Sequence, residues 1–232
     1  MAEVSPAAVV FDLDGVLVDT EPIWDRARRE LVAEAGGSWR EGATRAMLGM
    51  SGPEWSDYVR TELAVPLARE EIWHRVVARV LELLGEGVPL LPGARDAVER
   101  LAAHWPLGLA SSADPPVIET VLEAAGVASL FSATLSSGEV GRGKPAPDVY
   151  LAAAAALDVG AADAVAIEDS ANGIRSASAA GLAVIAVPHP STSAPPDALP
   201  LAGLVLRGLE DLTPDAVERA FRARAASRGS PS

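Results

Sequence analysis

Asp12 and Asp14 stand two residues apart in Val9-Val10-Phe11-Asp12-Leu13-Asp14-Gly15, where an apolar run gives way to a glycine turn. At the end of a strand, side chains i and i+2 point the same way, so the two carboxylates share a face. Gly15 lets the chain turn away without a Cβ in the opening. Two like charges this close are costly unless a cation neutralises one or a proton sits on the other. Chemistry on a phosphate needs both: one ionised Asp as metal ligand and nucleophile, and one protonated Asp to give the leaving oxygen its proton.

Lys144 is an independent signal. It is the only lysine of 232 residues, and every other basic side chain is arginine. It sits in Gly143-Lys144-Pro145-Ala146-Pro147-Asp148. An ammonium is a compact point charge that fits beside a phosphoryl oxygen and a carboxylate, where a guanidinium imposes a wider fork. Two further polar groups follow apolar runs: Ser111-Ser112 after Leu107 to Ala110, and Glu168-Asp169-Ser170 after Val165 to Ile167. In an open parallel sheet, ligands bind beyond the carboxyl ends of the strands. A hydroxyl, a lysine and four carboxylates at successive strand ends would there meet a phosphate and a hard cation, and Mg²⁺ needs only two or three carboxylates because it keeps several waters.

These residues need a scaffold, and the chain supplies an alternating one. Strands are expected at Val9 to Phe11, Leu107 to Ala110, Ala133 to Leu135, Val165 to Ile167, Val184 to Val187 and Leu204 to Leu206, with helical patterns between them. The fold class is therefore α/β, a Rossmann-like parallel sheet with crossover helices. Asp114-Pro115 and Thr213-Pro214 read as helix starts, and Gly126 and Gly181 as stops. Between Thr20 and about Leu90 the alternation breaks. Ile23 to Ala35, a segment near Trp55 to Leu63, and Glu70 to Leu84 read as amphipathic helices with no strand between them. The division expected is a catalytic core over 1–19 and 91–232 and an inserted helical cap domain over 20–90. Four of the five tryptophans (Trp24, Trp39, Trp55, Trp73) fall in the insert. Trp24, one helical turn past the hinge, is the one expected to face the opening. Pro188 to Pro200 reads as a surface connection and Ser227 to Ser232 as a disordered tail.

Composition narrows the function classes. A hydrophobic fraction of 49% supports a real core, and a formal charge of −13 without a basic run argues against nucleic-acid binding. With no Cys there is no disulfide framework, thiol nucleophile or Cys-based metal site. Met1 to Ala8 lacks the pattern of a signal peptide, and no stretch approaches the ~20 apolar residues of a membrane helix. A soluble, cytoplasmic monomer acting on a small phosphorylated metabolite is expected.

In this order the motifs resemble those of the haloacid dehalogenase superfamily of aspartyl phosphotransferases, in the subgroup with a helical cap inserted after the first motif. The match runs through Asp12 and Asp14, Ser111, Lys144 and Glu168-Asp169 and covers essentially the whole chain. The segments Asp12 to Pro22 and Ile167 to Ile174 are similar to those of sugar-phosphate phosphatases and β-phosphoglucomutases. Glu21-Pro22-Ile23-Trp24-Asp25-Arg26-Ala27 resembles bacterial hexitol and 2-deoxyglucose 6-phosphate phosphatases.

The resemblance implies that Asp12 attacks phosphorus and that Asp14 is general acid and then general base. Ser111, with Ser112, and Lys144 would hold phosphoryl oxygens. Mg²⁺ would sit on Asp12, the Asp14 carbonyl and Asp169, with Glu168 either a direct ligand or a group behind one. Thr20 and Trp24 would meet the substrate from the cap side. β-Phosphoglucomutases carry a cap histidine where this chain has Trp24, and a cap arginine where the loop Leu48 to Gly52 ends in glycine, which favours a phosphatase of sugar or sugar-alcohol phosphates over a mutase. Asp14 also separates the chain from true dehalogenases. Phosphoglycolate phosphatase shares every core motif, and a non-catalytic binding protein would have no physical reason to keep mutually repelling carboxylates.

Overall fold

The computed structural model describes residues 5–48, 50–188 and 197–228. Six parallel strands form one sheet in the order β3-β2-β1-β4-β5-β6. They are β1 (Ala8–Phe11), β2 (Leu107–Ser111), β3 (Phe131–Ser136), β4 (Ala164–Glu168), β5 (Ala183–Ala186) and β6 (Leu204–Val205). The central β1, β2, β4 and β5 are buried throughout, which is why they read as continuous apolar runs. Side chains still divide by a period of two. Val9, Phe11, Leu107, Leu109, Val165 and Ile167 enter one apolar cluster. Ala8, Val10, Ala110, Ala164 and Ala166 enter the other.

Strand order reverses between β1 and β4, which pair with Val10 beside Ala166 and Phe11 beside Ile167. This is the switch point at which open α/β sheets form their crevice. Asp12 and Glu168-Asp169 leave the sheet on either side of it.

Four helices lie between β1 and β2 before the sheet's own α5 (Ala94–Ala102): α1 (Glu21–Glu34), α2 (Ala43–Met47), α3 (Gly52–Thr61) and α4 (Arg69–Glu86). The chain enters and leaves this insert at one place. Val18 forms an antiparallel bridge with Leu90, the Asp19 N–H donates to the Pro89 carbonyl, and the Leu91 N–H donates to the Leu17 carbonyl. Helix α2 is absent from the sequence reading, being too short to show a period. Helix α3 opens with a reciprocal capping box between Ser51 and Glu54.

The remaining helices are α6 (Pro115–Ala125), α7 (Asp148–Ala156), α8 (Ala171–Ala180) and α9 (Pro214–Arg228). Gly126 and Gly181 close α6 and α8 in the left-handed conformation, as their stop signals imply. At Asp114 the start is where expected but the chemistry differs: its side chain does not cap α6. Ser227 and Arg228, expected in a disordered tail, continue α9. The rest of that tail and residues 189–196 of the expected surface connection lie outside the described residues, as does Gly49. Among the described residues, no helix is long and apolar enough to cross a membrane.

Candidate active site

The site is built where β1 and β4 end. Asp12 follows β1 directly, its N–H donating to the Ile167 carbonyl at 2.9 Å, so its backbone is fixed from the neighbouring strand. Lys144 arrives from the loop before α7 and is 7% exposed. Its Nζ donates to Asp12 Oδ1 at 2.6 Å, to Glu168 Oε1 at 2.7 Å and to the Ala110 carbonyl at 3.0 Å. A guanidinium could not meet three acceptors converging on one point. Burial alone would lower the Lys144 pKa, but Asp12 and Glu168 outweigh it and keep the ammonium charged.

Glu168 is held from all sides. Lys144 and the Tyr150 hydroxyl, at 2.9 Å, donate to Oε1. The Asp169 and Ser170 N–H groups, at 3.0 and 3.1 Å, and the Ser170 hydroxyl donate to Oε2. A Cβ at Gly173 would overlap this carboxylate, which explains a glycine inside α8. Gly15, at φ +81°, does the same for the partner: a Cβ there would overlap the Asp169 carboxylate.

Asp12, Glu168 and Asp169, all buried, each place a carboxylate oxygen within 4.8 Å of the others. An all-oxygen, carboxylate donor set of this size suits a hard divalent cation. The Asp14 carboxylate is not part of this triad. It accepts a hydrogen bond from the Thr20 hydroxyl instead.

The two aspartates therefore see different surroundings. Burial pushes the Asp12 carboxyl up to about 8 against the pull of the Lys144 ammonium, with Glu168 and Asp14 adding to the rise. Burial also raises Asp14, opposed by the Thr20 hydroxyl and by Lys144 and Arg28. Asp12 thus has a cation at bonding distance, whereas Asp14 has a neutral hydroxyl.

A cavity of about 310 Å³ opens above these groups. Asp12, Asp14, Lys144 and Asp169 form its floor, with Ser112, Ala113 and the start of α8 alongside. Glu21, Trp24, Arg28, Met47, Met50 and Trp55 face it from the insert. The insert also touches the core directly: a Cβ at Gly143 would lie 3.3 Å from Ser51 Cβ.

Thr20, Ser111 and Trp24, also expected in the site, are buried beside it. Thr20, expected to meet substrate, is fully buried and serves Asp14. Ser111 is also fully buried, its Oγ accepting the Ala113 N–H at 3.0 Å, and Ser112 forms the cavity wall. Trp24 does line the cavity, yet it is only 6% exposed and packs edge-on to Trp55.

Sequence reasoning missed Arg28. It is 4% exposed, with its guanidinium carbon 5.2 Å from the Trp24 ring centre and 5.1 Å from that of Trp55. Its Nη1 donates to Glu21 Oε1 at 3.3 Å, and its Nε–H is buried without a hydrogen-bond partner. A buried donor left unmade costs roughly 1–3 kcal/mol, more for a charged group. The spacing of Glu21, Trp24 and Arg28 is that of one helix face, which is the signal that could have found it.

Comparison with known proteins gives this arrangement a family. A model of haloacid dehalogenase-like hydrolases matches residues 6–181. The chain belongs to that family. Hexitol phosphatase B of Escherichia coli (strain K12) is 38% identical over 210 residues, spanning 89% of this chain and 94% of the relative. CbbY from Rhodobacter sphaeroides, solved in complex with phosphate, superposes with a TM-score of 0.80 at 31% identity, covering 89% of this chain and 96% of that one. A mutant of CbbY has been solved with xylulose-(1,5)bisphosphate. β-Phosphoglucomutase from Clostridium difficile superposes at 0.82 but is 22% identical over 95% of this chain and 99% of that one, a likeness of fold. This family member is accordingly an enzyme of the hydrolase class on a Rossmann-like α/β fold.

Proposed function

We propose that the protein is a Mg²⁺-dependent phosphatase of small phosphorylated sugars or sugar alcohols, working through an aspartyl phosphate on Asp12, with residues 20–90 acting as a cap over the site. The observation that carries this reading is the contrast between the two aspartates: Asp12 bonded to the Lys144 ammonium, Asp14 bonded only to a hydroxyl. A relative named for hexitol phosphate hydrolysis, aligned over 89% of the chain, supports the substrate class.

In this mechanism a carboxylate oxygen of Asp12 attacks phosphorus as the bond from phosphorus to the ester oxygen breaks. Asp14, which meets the Thr20 hydroxyl rather than a cation, gives a proton to the departing alkoxide. Asp14 then takes a proton from water, whose oxygen attacks phosphorus. The bond to Asp12 breaks and inorganic phosphate leaves. Lys144 fixes the Asp12 oxygen that does not attack and places positive charge beside the phosphoryl group. Ser112 and the adjacent backbone border the phosphate, while Ser111 shapes their turn.

Asp12 and Asp169, with the Asp14 carbonyl, would hold the cation, and Glu168, both of whose oxygens are engaged, would stand behind them. When bound, Mg²⁺ supplies charge that offsets the repulsion between the carboxylates and the phosphoryl oxygens. The test is phosphate release from a panel of phosphorylated metabolites and an aryl phosphate. Expected are turnover of hexose and hexitol phosphates, loss on exhaustive chelation, recovery with Mg²⁺ and inhibition by Ca²⁺. Full activity after chelation would remove the metal from the reading, and no release from any ester would remove the phosphatase.

A further inference from the structure

Among the described residues, Arg28 is the one buried charged side chain of the cavity wall that this chemistry leaves unused. We propose that the Glu21–Arg28 pair determines specificity by reading the hydroxyls of a neutral polyol, and that it selects against a second phosphate. The inference rests on the phosphatase reading of the same cavity.

Arg28 is placed before any ligand arrives. Trp24 and Trp55 meet at 61° with ring centres 6.0 Å apart, and the guanidinium lies about equally close to both. Side chains held by aromatic contacts lose little freedom on binding. Glu21 occupies one edge of the guanidinium through Nη1, and the Nε–H remains unpaired.

A hydroxyl matches this pair because it both accepts and donates. At the Nη1 edge, where Arg28 meets Glu21 on the cavity wall, one hydroxyl oxygen can accept from the guanidinium while its proton goes to the Glu21 carboxylate. A phosphate dianion only accepts. It would gain from Arg28 but would bring its charge against Glu21, which already neutralises that arginine, so the net attraction is small. The absence of an arginine at Gly52 is therefore not what decides the matter, since Arg28 supplies one on the cavity wall. What decides is the carboxylate at its side. The tryptophan walls add apolar surface for the carbon chain of a polyol.

Binding can be read without turnover in Asp12→Asn protein at a pH of about 8.5, above the value to which burial raises Glu21, by titration of tryptophan fluorescence with glucitol 6-phosphate, glucitol 1,6-bisphosphate and ethyl phosphate. Glucitol 6-phosphate is expected to bind at least about tenfold tighter than either of the others, the scale of one hydrogen bond to a charged group. Adding Glu21→Gln should shrink its preference over the bisphosphate about tenfold, and adding Arg28→Gln should remove most of its preference over ethyl phosphate. If Arg28→Gln fails to fold, Glu21→Gln in the first turn of α1 carries the test alone. Tighter binding of the bisphosphate, or a mono-to-bisphosphate ratio that Glu21→Gln leaves within twofold, overturns the inference. Phosphate release from an aryl ester by the unmodified enzyme reads the phosphatase proposal separately, so either can fail without the other.

Discussion

Trp73 on α4 donates its indole N–H to the Asp114 carboxylate at 2.9 Å, tying the inserted helices to the first turn of α6. The carboxylate that would have capped α6 has been turned outward to meet the insert. Burial raises its pKa and the indole opposes that rise. The same ring lies 3.0 Å from where a Cβ at Gly52 would sit, so any side chain at that position must push Trp73 aside.

Trp73→Phe removes the donor together with part of the ring packed against Gly52, and Asp114→Ala in a double-mutant cycle isolates the bond. The loss expected is about 1–3 kcal/mol, the cost of leaving a largely buried carboxylate unpaired. Urea unfolding measures it, and an unchanged midpoint would mean that the bond contributes nothing. Asp114→Asn should be milder, because an amide can still accept from the indole.

Asp12→Asn should abolish turnover without unfolding the protein, since the amide is nearly isosteric but is not a nucleophile. Asp14→Asn should slow alkyl phosphates by roughly 10²–10⁴, the range of general acid–base catalysis. Aryl phosphates, whose leaving group needs no proton, should suffer less in the first step and accumulate phosphoenzyme. Rates plotted against leaving-group pKa check this, and parallel plots for variant and wild type would remove Asp14 as the acid.

Lys144→Arg keeps the charge but not the point geometry set by Asp12, Glu168 and Ala110. We expect kcat/KM to fall by at least about 10². Lys144→Met should also be strongly destabilised, by about 3–5 kcal/mol, because it leaves buried carboxylates uncompensated. Near wild-type turnover by the arginine variant would show that charge alone suffices.

Gly173→Ala would ordinarily favour a helix, by roughly 1 kcal/mol. Here the new methyl must displace the Glu168 carboxylate and with it the Lys144 contact. A net destabilisation of about 1–3 kcal/mol is expected from thermal unfolding, together with a loss of activity. Stabilisation by this substitution would mean that Glu168 has room to move.

Burial raises Glu21 to about 7 from its ordinary 4.5, against the pull of Arg28. Between these two values the folded protein binds the proton that the unfolded chain releases, so this group favours folding as pH falls through the window and ceases to help above about 7. Glu21→Gln should flatten the dependence of Tm on pH between about 5 and 7 relative to wild type. An identical slope in both proteins would place the Glu21 pKa in the usual range.

The sheet was legible because its central strands are buried on both faces and so appear as short apolar runs between turn signals. Lys144 stood out through its uniqueness, and Asp12 and Glu168-Asp169 through their positions at strand ends. Other features depend on which way a side chain turns. Asp114 looks like a cap residue whether its carboxylate faces its own helix or Trp73. Thr20 follows the first motif in a way that suggests substrate contact, yet its hydroxyl points back to Asp14. Tyr150 is fully buried, and its hydroxyl bond to Glu168 leaves no trace in the periodicity. Gly173 was a missed clue, since a glycine inside a helix usually marks something that needs its space.

The bridge between Val18 and Leu90 makes the whole insert a detour that begins and ends at a single point beside the sheet. None of the strand pairings runs through the stretch between Thr20 and Leu90, so chain could be exchanged there with the order and register of the strands kept, provided Thr20 stays for Asp14. Descendants of one catalytic framework could thus acquire new diets by trading this detour, and an engineer could graft a foreign one just past Thr20.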